Sequence, residues 1–172
     1  MVVPYLVRRA NEAESEGPVS GLWISTMASI GYTADNGWSL EPETRTNDDD
    51  TNAVDIGVIY IRDEDAEVLM IIECKTSTHD TLVGWDKSGT QLAEYVREEG
   101  CERGILAIGA KCKFYHIPDD AFAFIDKSRE YDWDDANDAA IIEGELRHFL
   151  NHYSFTLVGP AAMDEEDDDD VQ

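Results

Sequence analysis

The sequence predicts an α/β fold, strands and helices mixed, on three observations. Two apolar runs, Val54 to Ile61 and Val68 to Ile72, flank the polar break Arg62 to Glu67 and read as a hairpin of two strands. Lys87 to Glu99 reads as an amphipathic helix with Leu92, Tyr95 and Val96 on one face. Asp135 to His152 carries a second helical stripe, made of Ala139, Ile142, Leu146, Phe149 and Leu150.

Taken along the chain, the first predicted element is a helix from Pro18 to Ile30, with proline in its first turn and Gly31-Tyr32 after its last. The hairpin follows, then a polar loop from Thr76 to Thr81 and the helix from Lys87. Asp119 to Tyr131 reads as an irregular segment around Phe122, Phe124 and Ile125. The helix from Asp135 is expected to be capped by one of the aspartates before it, and Tyr153 to Val158 to add a strand. Met163 to Gln172 contains Asp-Glu-Glu-Asp-Asp-Asp-Asp, a run that cannot bury apolar area and is expected to be disordered. With 172 residues, 42% of them hydrophobic, the chain can bury one good core, so residues 1–160 are read as one domain and 161–172 as an acidic tail.

The chemistry concentrates between Asp55 and Lys75, D-I-G-V-I-Y-I-R-D-E-D-A-E-V-L-M-I-I-E-C-K. Side chains alternate faces along a strand, so Glu73 and Lys75 project to one side and Cys74 to the other, toward a core. Asp55, near the start of the preceding strand, can close on the side of Glu73 and Lys75. Two carboxylates this close repel unless a cation lies between them, and oxygen-only ligation suits Mg²⁺ or Mn²⁺. The Lys75 ammonium can then orient an attacking water, assist its deprotonation or stabilise charge building on a phosphate. An E-x-K triplet alone arises by chance in about one of every two chains of this composition. Here an apolar β-rich run leads straight into Glu73 and an aspartate opens the preceding strand, which raises its weight. Further on, Gln91 and Tyr95 in G-T-Q-L-A-E-Y stand four apart, share a helix face and can point together at a substrate or bound water.

The order D…E-x-K…Q-x-x-x-Y, followed by Gly104 to Tyr115 (G-I-L-A-I-G-A-K-C-K-F-Y), resembles the PD-(D/E)xK nuclease superfamily. Within it the chain is similar to the nuclease domain of type I restriction enzyme motor subunits and to RecB-like nucleases, over roughly Gly17 to Ile117. The resemblance implies a restriction-endonuclease-like three-layer core, with a central mixed sheet of four or five strands flanked by helices. It also implies a hairpin of Gly104 to Ile108 and Cys112 to Ile117 around the turn Gly109 to Lys111. In site residues it implies Asp55 and Glu73 as metal ligands with the backbone carbonyl of Cys74, Lys75 as catalytic, and Gln91 and Tyr95 as supports of the site or contacts to the DNA backbone. The family commonly adds a glutamate on its first helix. Glu12, Glu14 and Glu16 are candidates, and Glu16 fits best because it precedes the helix at Pro18. Val54 stands where the family usually has a proline. The activity implied is Mg²⁺- or Mn²⁺-dependent hydrolysis of DNA phosphodiester bonds.

Composition sets a second theme. The 38 acidic residues against 13 basic give a formal charge of -25, the reverse of a usual DNA-binding domain. At molar salt the Debye length falls to about 3 Å, so long-range repulsion of DNA nearly vanishes. Acid-rich loops at Asp48-Asp49-Asp50 and Asp132 to Asp138, with only five lysines, resemble the composition of halophilic archaea and their viruses. The rival readings are a binding-only module of the same fold and an acidic mimic of DNA. Mimicry needs a regular row of carboxylates, and the acidity here is scattered. No signal peptide or membrane-spanning run is predicted, so a cytoplasmic protein is expected. Cys74, Cys101 and Cys112 form no C-x-x-C pair, which fits a reducing compartment. His79 and His116 are expected in solvated and structural roles, and His148 and His152 on a helix surface. No G-x-x-x-x-G-K-[ST] loop is present, so a motor or recognition function would come from a separate protein, or sequence choice from a homodimer.

Overall fold

The computed structural model describes residues 4–45, 53–62, 65–116, 125–126 and 129–157. Helices α1 (Pro4–Asn11) and α2 (Gly17–Ile30) lead into strands β1 (Trp38–Arg45), β2 (Ala53–Arg62) and β3 (Asp65–Lys75). Helix α3 (Leu82–Glu98) follows, then β4 (Arg103–Ile108), β5 (Lys111–His116), the short β6 (Ile125–Asp126) and β7 (Tyr131–Asp132), and helix α4 (Ala136–Leu157). All strands share one mixed sheet in the order β1-β2-β3-β4-β5-β6, and β7 pairs with the other end of β5. The only parallel pair on that path is β3 with β4, which requires a crossover, and α3 supplies it.

Alternation along the strands sorts side chains into two cores, one on each sheet face. Ile56, Val58, Met70, Ile72, Cys74 and Ile105 face Val19, Leu22, Trp23 and Met27 of α2, together with α1 and α4. On the opposite face Ile71, Leu106, Ile108 and Tyr115 pack against Trp85, Leu92, Tyr95 and Val96 of α3. The α/β reading therefore holds: a mixed sheet lies between helical layers. Central strand β3 is buried from Leu69 to Cys74, which is why its apolar residues run on instead of alternating.

Several elements differ from expectation. Helix α1 and strand β1 were not predicted, and among the described residues the sheet has seven strands instead of four or five. Helix α3 starts at Leu82, five residues before Lys87, with the Thr81 hydroxyl accepting from Gly84 N at 3.0 Å as its N-cap. The expected strand at Tyr153 is a correction: residues 153–157 continue α4 as helix, and Val158 lies outside the described residues. Lys111 belongs to β5, so the second hairpin turns at Gly109-Ala110, where Gly109 takes φ +59. The aspartate cap of α4 is Asp135, whose Oδ1 accepts from Asn137 N at 2.8 Å and Asp138 N at 3.0 Å. Asp48-Asp49-Asp50, Phe122, Phe124 and the acidic tail lie outside the described residues. All three cysteines are free and buried. No helix among the described residues is long and apolar enough to cross a membrane.

Candidate active site

The site forms where two strands part. The β2–β3 ladder pairs Ile56 with Ile72 and stops there, while β3 continues through Glu73, Cys74 and Lys75 with only β4 beside it. Asp55 sits at the point of parting, and its Oδ2 accepts from the Cys74 N–H at 2.6 Å, in place of a backbone partner. In a strand the N–H and C=O of one residue point the same way, so the Cys74 carbonyl also faces the Asp55 side. The Lys75 carbonyl faces the other way and accepts from Gly109 N at 2.9 Å. The Cys74 thiol is buried in the core on the α2 face, and burial pushes its pKa well up, so it is no nucleophile.

Three carboxylates converge on the Lys75 ammonium: Glu73 Oε1 at 2.5 Å, Glu16 Oε1 at 3.2 Å and Asp55 Oδ2 at 3.8 Å. Glu16 is the cap residue of α2, yet its side chain makes no capping bond and turns to Lys75 instead. Of the candidate glutamates, then, it is Glu16 that reaches this cluster; Glu12 and Glu14 are exposed. Burial differs along the set. Glu73 is 1% exposed, whereas the Glu16 side chain is 41% exposed and forms the open rim.

These environments move the proton affinities. Burial, then the neighbouring Asp55 charge, pushes Glu73 up to about 7, although Lys75 opposes both. Burial likewise raises Asp55, against the Cys74 N–H that stabilises its anion. For Lys75 burial acts to lower the pKa, but Glu73, Asp55 and Glu16 outweigh it, so the ammonium form is favoured beyond its ordinary range.

Among the described residues no group of three or more His, Cys, Asp or Glu side chains stands in metal-holding geometry; the oxygens are gathered around an ammonium. The donor set nevertheless fits a hard divalent cation. Glu73 Oε2 is buried with no hydrogen-bond partner, three carboxylates outnumber one ammonium, and every ligand atom on offer is oxygen.

Gln91 and Tyr95 do share a face of α3, as their spacing predicts, and Gln91 Nε2 donates to Tyr95 Oη at 2.9 Å. Tyr95 is buried against the α3-side core. No hydrogen bond or ion pair among the described residues joins either residue to Asp55, Glu73 or Lys75. His79 is exposed, with Nδ1 3.3 Å from Thr76 Oγ1. His116 lies 3.8 Å from Glu102, and His148 and His152 are exposed on α4 with ring centroids 6.3 Å apart.

One contributor went unpredicted. Asn11, the last residue of α1, accepts from Ala110 N at 2.9 Å through Oδ1 and donates through Nδ2 to Asp134 Oδ2 at 2.8 Å; its carbonyl accepts from Ser77 Oγ at 2.8 Å. It thus fastens α1 to the chain two residues beyond Lys75 and to the turn that holds the Lys75 carbonyl. Nothing local in the sequence marks a lone asparagine for three contacts this distant in the chain.

Compared with protein-family models, with curated proteins and with solved structures, the chain matches none.

Proposed function

We propose that this chain is a metal-dependent nuclease that hydrolyses DNA phosphodiester bonds, of the PD-(D/E)xK, restriction-endonuclease-like kind. The observation that carries the reading is the convergence of Asp55, Glu73 and Glu16 on Lys75 at the parting of β2 and β3. The Mg²⁺ or Mn²⁺ ion would be held by Asp55, Glu73, Glu16 and the Cys74 carbonyl, and when bound it supplies Lewis-acid charge at the phosphate. Lys75, kept as ammonium by its neighbours, is a hydrogen-bond donor and not a base. It orients the attacking water, which gives its proton to bulk water as its oxygen bonds phosphorus, and neutralises charge on the non-bridging phosphate oxygens while the bond to the leaving oxygen breaks and that oxygen takes a proton from solvent. Gln91 and Tyr95, which brace each other, support the site from α3 or touch the DNA backbone.

The charge of -25 fits this function only where salt is high, which supports a halophilic archaeon or its virus as the source and its cytoplasm as the location. Choice of a particular sequence would come from a second copy of the chain or from a separate recognition or motor protein.

The test is cleavage of linear, circular and single-stranded DNA in molar KCl with Mg²⁺ or Mn²⁺. Lys75→Ala is expected to abolish cutting while still binding the metal, and Asp55→Ala to lose both, with circular dichroism checking that each folds. Cutting at the wild-type rate by either variant sinks the mechanism, and no cutting by the folded wild type shifts the reading to a binding module of the same fold.

A further inference from the structure

We infer that the exposed face of α1, formed by Tyr5, Arg8 and Arg9, is a contact surface for the phosphate backbone of a nucleic-acid strand running through the candidate active site. The substrate assignment rests on the nuclease reading, while the surface itself stands on separate observations. Arg8 and Arg9 are the only adjacent pair of basic residues in a chain carrying 38 acidic ones. Both are exposed, and they share a side of α1 with Tyr5, which is 54% exposed, while Val7 and Ala10 take the buried side.

Most other described cations are spoken for or stand alone. Lys75, Lys111 and Arg129 are held by the chain's own carboxylates, Arg103 and Lys113 lie over the rings of Phe149 and Trp85, and Lys87, Arg97 and Arg147 are exposed single charges with no basic residue beside them on an aromatic. Arg8 and Arg9 make no ion pair among the described residues. Their guanidinium carbons stand 6.0 and 5.9 Å from the Tyr5 ring centroid, one exposed aromatic flanked by two exposed cations. An aromatic interleaved with arginines is the chemistry that holds a nucleic-acid strand: guanidinium groups take phosphates bidentately and the ring accepts a base.

The position is right for one substrate to reach both places. Asn11 ends α1 and is bonded to Ser77, two residues past Lys75. Three residues of helix, the Asn11–Ser77 hydrogen bond and the two residues past the end of β3 therefore separate Arg8 from Lys75, a backbone path within about 20 Å. That is the length of about six phosphates along one strand of a duplex. A phosphate at Lys75 and phosphates at Arg8 and Arg9 then belong to one short stretch of the same molecule.

The experiment is binding of a fluorescein-labelled DNA 20-mer, single- and double-stranded, followed by anisotropy over a KCl series in EDTA, with cleavage measured separately in Mg²⁺. The Arg8→Gln/Arg9→Gln double variant is expected to weaken binding at least tenfold and to shift the slope of log affinity against log salt in the positive direction by about 1.4 to 1.8, the loss of two phosphate contacts. A Lys87→Gln/Arg147→Gln control, which removes the same charge from α3 and α4, should change binding less than twofold. Tyr5→Ala should weaken the single strand more than the duplex. If the wild type cuts DNA and the α1 double variant binds as the wild type does, or the control weakens binding equally, the surface is wrong and the nuclease reading survives. Should the wild type bind through Arg8 and Arg9 without cutting, the surface holds and the nuclease reading fails; a wild type that neither binds nor cuts overturns both.

Discussion

Glu73 is the most deeply buried carboxylate of the site: it is 1% exposed, one of its oxygens has no partner, and its pKa is raised from 4.5 to about 7. A carboxyl whose folded pKa lies above its unfolded one binds its proton more tightly in the folded state, so its contribution is full below pH 4.5 and is lost as pH rises toward 7. In EDTA the urea stability of the protein is expected to fall by about 3 kcal/mol across that window. Glu73→Gln, which carries no such proton, should lose most of this descent, keeping only the share of Asp55, and become the more stable of the two at pH 8. Mg²⁺ should restore the wild type at pH 8 and do little for Glu73→Gln, because a cation neutralises the same charge that the proton does. A wild-type stability that stays flat from pH 4.5 to 7 in EDTA would show that water reaches Glu73 and that its pKa is not raised.

Among the elements, the join between β3 and α3 is the tightest. An added Cβ on Gly84 would stand 2.0 Å from the His79 carbonyl oxygen, a backbone atom that cannot give way. Gly84→Ala should therefore cost about 2–4 kcal/mol and displace the start of α3, whereas Gly144→Ala in α4, with nothing within 4 Å, should gain about 0.5–1 kcal/mol. Thermal melts of the two variants moving together would contradict that geometry. The same join explains what could be read from the sequence. Leu82 is 91% exposed and Val83 64%, so apolar residues at the start of α3 sit on no buried stripe and the periodicity begins only later. β1 hides behind Pro42 and its polar neighbours in W-S-L-E-P-E-T-R, tolerated because it is the edge strand, where a missing donor costs little. Residues 153–157, Y-S-F-T-L, have strand propensity, but they follow an established helix, and continuing it adds a bond per residue without a new nucleus. Asp55, Glu73 and Lys75 were legible because strand alternation is local and a hairpin brings its two ends together. Glu16 followed from its place before Pro18. Asn11 was not legible, since its partners are set by tertiary packing alone.

The molecule as a whole carries -25, and that charge opposes folding and would oppose binding of the proposed DNA substrate alike. Self-repulsion among 38 acidic residues favours the expanded chain, and the phosphates of the proposed substrate would meet a net charge of their own sign. Added salt shortens the Debye length from about 10 Å at 0.1 M to about 3 Å at 1 M, which removes most of both penalties and leaves hydrogen-bonded contacts such as those expected at Lys75 and Arg8 largely intact. The melting temperature is therefore expected to climb with KCl, most steeply below 1 M, and cutting to rise with it. An ordinary basic nuclease would do the reverse, because its affinity falls with salt through counterion release. Melting and cleavage should be followed together from 0.1 to 3 M KCl. If melting rises but cutting falls, DNA is held by more cations than Arg8, Arg9 and Lys75, and the acidic surface lies away from the strand's path. If both rise, screening governs folding and cutting alike, and any weak cutting at low salt belongs to the whole charge distribution and not to the site.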